Sequence, residues 1–221
     1  LLRGAIELSG GDREFLSAIA KAALRINDTE SALAALRRIP RATAEPDDLL
    51  EEARVLIMAE RHGEALAHLR GLPLGTFDTR QRATCRLHVL LAEVLEVEEN
   101  DGPEADARSH AETVLAALEV VRAEIEALPE SPHRGPLLTY CGHVGAHAHL
   151  CAGEPARALA IADARLEADA RLPSTLLVRA RALDALGRGA EADEARARAR
   201  SLAHVDSHFV KRLSQRGAPF R

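Results

Sequence analysis

Tryptophan is missing from this 221-residue chain, and aromatic residues make up only 2% of it, although hydrophobic residues reach 47%. A core must therefore be built from small aliphatic side chains, and little ring surface is left for stacking nucleic-acid bases. Lysine is almost absent: of 29 basic residues only Lys21 and Lys211 are lysines, leaving 29 − 2 = 27 arginines. The net charge is −5 with no long block of one sign, which argues against nucleic acid as the partner. Cys85, Cys141 and Cys151 are an odd set with no C-x-x-C spacing, so a disulfide framework is not expected and a reduced, cytoplasmic compartment fits. No apolar run approaches the ~18 residues a membrane span needs. "LLRGAIELSG" at the start lacks the apolar centre of a signal peptide, and its first residue, Leu1, suits a segment of a longer protein. Phosphate-loop, dinucleotide, nucleophile-elbow and H-E-x-x-H motifs are all missing, so neither an enzyme nor a cofactor is expected. "HGEALAH" at 62–68 only looks like a zinc helix, because His62 and His68, six apart, fall on opposite sides of a helix.

What the chain has in quantity is Ala, Leu, Arg and Glu, all strong helix formers, while strict apolar–polar alternation is hard to find. An all-α fold follows. "ESALAALRRIP" at 30–40 and "GEALAHLRGLP" at 63–73 share the string A-L-A-x-L-R-x-[I/L]-P, with Ala32 and Ala65 in register 33 residues apart. A second helix-period stretch precedes each ending: Leu16, Ile19, Ala20 and Ala23 line one face in the first case, and Leu49, Ala53 and Leu56 in the second. Asn27 or Asp28 is placed to cap the helix that follows, and Pro46, Asp47 and Asp48 suit a first helical turn. The pattern returns with Gly153 five residues before Ala158 and Gly187 five before Ala192, after Leu176, Ala180 and Leu183.

These residues resemble the tetratricopeptide repeat (TPR), a helix–turn–helix unit of about 34 residues. Departures are the missing Trp and Tyr of the repeat signature, Asn27 in place of the turn Gly, and Glu52 and Arg179 at usually apolar positions. The distance from Ala65 to Ala158 is 93 residues, which fits two units of about 46, the first a lengthened hairpin that opens at a capping box, Asp78 with Gln81. The resemblance implies an α-solenoid of about five TPR-like hairpins in a single domain, 1–221. The units expected are 12–40, 46–73, 79–128, 136–172 and 174–201, with a capping helix at 206–215. "PESPHRGP" at 129–136 joins the third unit to the fourth, or else acts as a hinge.

A hairpin cannot bury its own apolar side, so the units stack, and the resemblance implies that their first helices line a concave groove. Carried over by position, the groove residues are Lys21, Arg25, Arg54, Met58, Tyr140, His143, His147 and Arg181. A basic wall with apolar spots suits an acidic protein or peptide segment, although the same arginines also fit a general bias toward Arg. His143 and His147, at i and i+4, have zinc-ligand spacing, but Cys151, eight residues from His143, is too far along the helix to join them, Cys85 and His88 are distant donors, and no metal is expected. The expected function is a protein-interaction scaffold, within a larger bacterial-type regulator. The alternatives are a structural or self-association arm and an RNA-binding helical repeat.

Overall fold

Good helix formers interrupted by Gly, Asn and Pro give short helices joined by tight turns. The computed structural model describes residues 2–99 and 104–202, apart from the side chains of Glu104 and Ala105. Every regular element among them is helical: eleven α-helices and one 3-10 turn, Leu74–Thr76. They are α1 (Leu2–Leu8), α2 (Arg13–Arg25), α3 (Thr29–Arg38), α4 (Pro46–Met58), α5 (His62–Arg70) and α6 (Thr79–Glu99). Then come α7 (Glu104–Glu126), α8 (Arg134–Cys151), α9 (Pro155–Ala168), α10 (Pro173–Ala185) and α11 (Gly189–Leu202). The capping helix expected at 206–215 lies outside the described residues. The chain divides into two compact units within α6, the first ending at Ala92 and the second beginning at Glu93.

In the first unit α2 pairs with α3 and α4 with α5, and α3 lies on α4. The faces read from the sequence turn inward: Leu16, Ile19, Ala20 and Ala23 of α2 are buried, as are Leu49, Ala53 and Leu56 of α4. Burial of one such Leu stabilises by roughly 2 kcal/mol. Helix α1 has no counterpart in the sequence reading. Its seven residues are too few to persist alone, and it is held by buried Ile6 and by its contacts with α2 and α3.

In the second unit α7 lies on α8, α8 on α9, α9 on α10 and α10 on α11. Alanines build much of this interior, with Ala158, Ala162, Ala192 and Ala199 fully buried. Small residues also set the approach of α8 to α7, where a Cβ on Gly145 would stand 3.2 Å from Leu118 Cδ2. The segment 127–133 links α7 to α8 inside this unit, so the division of the chain does not fall there.

Four turns share one construction. Asn27 (φ 58°), Glu60 (φ 61°), Gly153 (φ 74°) and Gly187 (φ 73°) each take the left-handed conformation. Each stands five residues before a fully buried alanine: Ala32, Ala65, Ala158 and Ala192. The next residue's N–H donates back across the turn: Asp28 to Ala23 O at 2.9 Å, Arg61 to Leu56 O at 3.0 Å, Glu154 to His149 O at 2.8 Å and Arg188 to Leu183 O at 2.8 Å. This is the Schellman arrangement, which satisfies carbonyls that a helix end leaves open. Asn is among the non-glycine residues that visit this conformation most readily, whereas Glu60 is a residue type that seldom does.

Side chains close the opposite helix ends. Asp12 accepts from Phe15 N at 2.8 Å and Asp28 from Ser31 N at 3.0 Å, so Asp28 rather than Asn27 caps α3. The capping box read at Asp78 and Gln81 is present, with Gln81 N donating to Asp78 Oδ1 at 2.7 Å and Asp78 N to Gln81 Oε1 at 3.0 Å. Pro46, Pro155 and Pro173 occupy first helical positions, where a missing N–H costs nothing.

Candidate functional site

The apolar stripe of α6 runs Leu87, Leu91, Val94 and then Glu98, at offsets of four, three and four. The first three are buried, and the fourth is turned inward as well, with only 4% of its side chain exposed. A buried carboxylate needs charge partners and donors. Two other helices of the second unit supply them. Arg181 Nη1 of α10 donates to Glu98 Oε2 at 2.7 Å, and His147 Nδ1 of α8 lies 3.4 Å from Oε1. Cys151 Sγ, one turn beyond His147, lies 3.4 Å from the same oxygen. Burial opposes the charge on Glu98, yet Arg181 and His147 hold its carboxyl well below the ordinary carboxylate range. Burial and the neighbouring carboxylate push the Cys151 thiol strongly upward, so it is a poor nucleophile.

Further along α8 the His143 ring meets His147 edge-on, with centroids 4.8 Å apart, and Tyr140 stacks on His143 at 6.2 Å. Burial, with His147 and Arg165 nearby, drives the His143 pKa well below its usual value, so its imidazole stays neutral. Its Nδ1 is buried without a hydrogen-bond partner among the described residues. The Arg165 guanidinium donates to the Thr139 carbonyl and, through Nε, to Thr175 Oγ1 at 3.3 Å.

Tyr140, His143, His147 and Arg181, singled out by position in the sequence, therefore gather in one cluster. Glu98 is the member that the sequence reading missed. Its presence changes what Arg181 can do, because that cation is occupied by an internal carboxylate. Among the described residues no three His, Cys, Asp or Glu side chains are placed to hold one ion. Cys85 and His88 belong to the first unit, where Cys85 is buried with Leu49, Leu50 and Phe77. Burial, followed by the charge of Arg54, takes the His88 pKa down to about 4.

In the first unit Lys21 and Arg25 are exposed on α2. Neither has an ion-pair partner among the described residues. Arg54 of α4 is gripped by Glu51, at 2.6 and 2.8 Å, and its Nη1 lies 3.3 Å from Met58 Sδ. Leu50 and Ile57 on the same helix are buried. Glu52, the departure from the repeat pattern noted above, is 3% exposed and serves as the common acceptor for Arg37 at 3.2 Å and Arg41 at 3.1 Å. Arg179, the other departure, donates from Nε to Asp163 of α9 at 2.7 Å.

Comparison with solved structures matches this order of helices. A thermophilic TPR protein of Thermus thermophilus superposes with a TM-score of 0.65 at 17% identity, over 91% of this chain and 97% of that one. The chain has the tetratricopeptide-repeat fold. MamA, residues 41 to the end, from Desulfovibrio magneticus RS-1 matches with a TM-score of 0.47 at 13% identity, over 88% of this chain and 97% of that one. The P58(IPK) TPR domain matches with a TM-score of 0.40 at 18% identity, over 96% of this chain and 57% of that one. No family model matches the chain, and no curated protein does. Among the described residues no helix is long and apolar enough to cross a membrane.

Proposed function

We propose that this TPR chain is a non-catalytic, cytoplasmic protein-interaction scaffold whose first helices hold an acidic peptide or protein segment. One observation carries the reading. Lys21 and Arg25 are exposed on α2 with no carboxylate partner among the described residues, whereas Arg13, Arg37, Arg41, Arg61 and Arg80 of the same unit all sit in ion pairs. Two unpaired cations one turn apart suit a carboxylate-bearing segment through charge-assisted hydrogen bonds. Arg54 and the polarizable Met58 extend the contact on α4, with Arg54 exchanging Glu51 for a carboxylate of the partner. In the second unit Tyr140 is the contact residue, and His143, His147 and Arg181 fix the helices around it.

The test is site-specific photo-crosslinking from position 21 and, as control, from exposed Ala34 on α3. A defined acidic partner captured from position 21 alone, weakened by salt and lost in Lys21→Glu/Arg54→Glu, is the expected outcome. Equal capture from both positions, or capture unchanged by the double substitution, overturns the reading.

A further inference from the structure

One side of α2 faces neither its own hairpin nor the next. Leu16, Ile19, Ala20 and Ala23 turn inward. Arg13, which reaches Asp48 and Glu45 at 2.7 Å, marks the edge turned toward α4. At 100° per residue, Phe15, Ala18, Ala22 and Ile26 fall about half a turn round from Arg13. All four are exposed, Phe15 at 47% and Ile26, the C-cap residue, at 64%. Helix α1 packs on α2 and α3. Phe15 and Ile26 thus share one exposed face, with the small side chains of Ala18 and Ala22 between them.

We propose that this edge is where two copies of the chain meet, α2 packing antiparallel on α2 about a two-fold axis. The pattern is self-complementary. The midpoints of 14 and 25, of 15 and 26, and of 18 and 22 all fall at about residue 20, so a two-fold axis there brings each member of a pair to the other in the second copy. Phe15 then meets Ile26 of the partner chain, twice. Ala18 meets Ala22, and their short side chains allow the helices to approach at the lower end of the usual 8–10 Å range. Glu14 meets Arg25, twice, beside the apolar stripe. Both are exposed, and neither makes an ion pair within the chain among the described residues. Lys21 meets its own like charge near the axis, and that single opposition is outweighed by the two Glu14–Arg25 pairs.

This inference goes beyond the scaffold reading and uses the adjacent edge of α2, with only Arg25 in common. Lys21→Ala separates the two: it weakens capture of an acidic segment and leaves the dimer intact.

The experiment is sedimentation equilibrium of the 221-residue chain from micromolar to near-millimolar concentration. The mass is expected to rise from 23.8 kDa toward twice that value. Phe15→Asp, at an exposed position, keeps the helical circular dichroism and weakens association by about a hundredfold. Glu14→Arg and Arg25→Glu each weaken it by about tenfold. Mixing those two single variants restores it, because each chain then meets the opposite charge at both ends of the interface. A monomer at every concentration overturns the proposal. So does a dimer indifferent to Phe15→Asp, or a mixture no tighter than its components.

Discussion

Arg181→Met leaves the Glu98 carboxylate where 4% of its side chain reaches solvent, with the 2.7 Å guanidinium contact gone. Removing one member of a buried ion pair typically costs about 3–5 kcal/mol. His147 Nδ1, 3.4 Å away, remains beside the carboxylate, which places the cost near the lower bound, about 3 kcal/mol. With an m-value of about 2 kcal/mol/M in urea, the unfolding midpoint falls by about 1.5 M. The sign of the pH dependence is specific. In the wild type the folded-state pKa of Glu98 is depressed, so its contribution is present above the unfolded value of about 4.3 and is lost as pH falls through the folded one. Without Arg181, burial raises the pKa instead, and the variant loses stability as pH rises through that raised value. The gap between the proteins is therefore widest at pH 8 and smaller near about pH 4, where the variant's carboxyl is relieved by protonation while the wild type keeps most of its contribution. Glu98→Leu/Arg181→Met removes both charges and should recover most of the loss, giving a coupling of about 2–4 kcal/mol. Urea unfolding followed by far-UV circular dichroism at both pH values measures all of this. A single-variant cost under about 1 kcal/mol, a cost independent of pH, or an additive double variant would refute the reasoning.

Two further outcomes follow from the turns and the thiols. Gly187 sits at φ 73° with no heavy atom within 4 Å of an added Cβ, so Gly187→Ala costs only backbone strain, about 1 kcal/mol by denaturant unfolding; no loss would remove the left-handed turn. Burial pushes the Cys141 thiol up to about 11 and raises Cys85 as well, while burial and Glu98 raise Cys151. An aromatic disulfide reagent at neutral pH should therefore react slowly with all three in the folded chain and quickly once it is unfolded; one fast thiol in the native protein would contradict the placement of that cysteine.

The hairpins were legible because their punctuation is local. Pro46, Asp78 with Gln81, Gly153 and Gly187 act on the residues next to them, and the apolar spacing of α2 and α4 depends on one helical period. Where a signal depended on distant residues or on marginal length, reading it failed. Helix α1 is seven residues long and exists through Ile6 and its neighbours. The turn at Glu60 carries no glycine to announce it. Glu98 lies in "EVLEVEEN", where carboxylates and aliphatics alternate so closely that the stripe through Leu87, Leu91 and Val94 does not stand out. Its partner Arg181 is 83 residues away, and spacing within one helix says nothing about such a pair. A carboxylate in step with a buried apolar stripe was the available sign. Tyr140, His143, His147 and Arg181 were expected by repeat register to face a groove, and the structure packs them against one another around Glu98. Repeat register was silent on whether those side chains were already occupied.

Occupancy decides which cations can recognise a partner. An acidic segment approaching Arg181 must displace a carboxylate of the same chain, whose effective concentration far exceeds that of any partner in solution. It must also leave Glu98 buried and uncompensated, at a cost like that worked out for Arg181→Met. Arg54 is held less firmly, because Glu51 shares its helix and 43% of the Arg54 side chain is exposed; a pair of that kind contributes about 1 kcal/mol or less. Lys21 and Arg25 have no internal competitor among the described residues. Free energy thus ranks α2 first, α4 second and the Glu98 cluster last as a place for a foreign carboxylate. The same ranking makes the proposed dimer and an acidic partner rivals for Arg25, so raising the chain concentration should weaken capture at position 21.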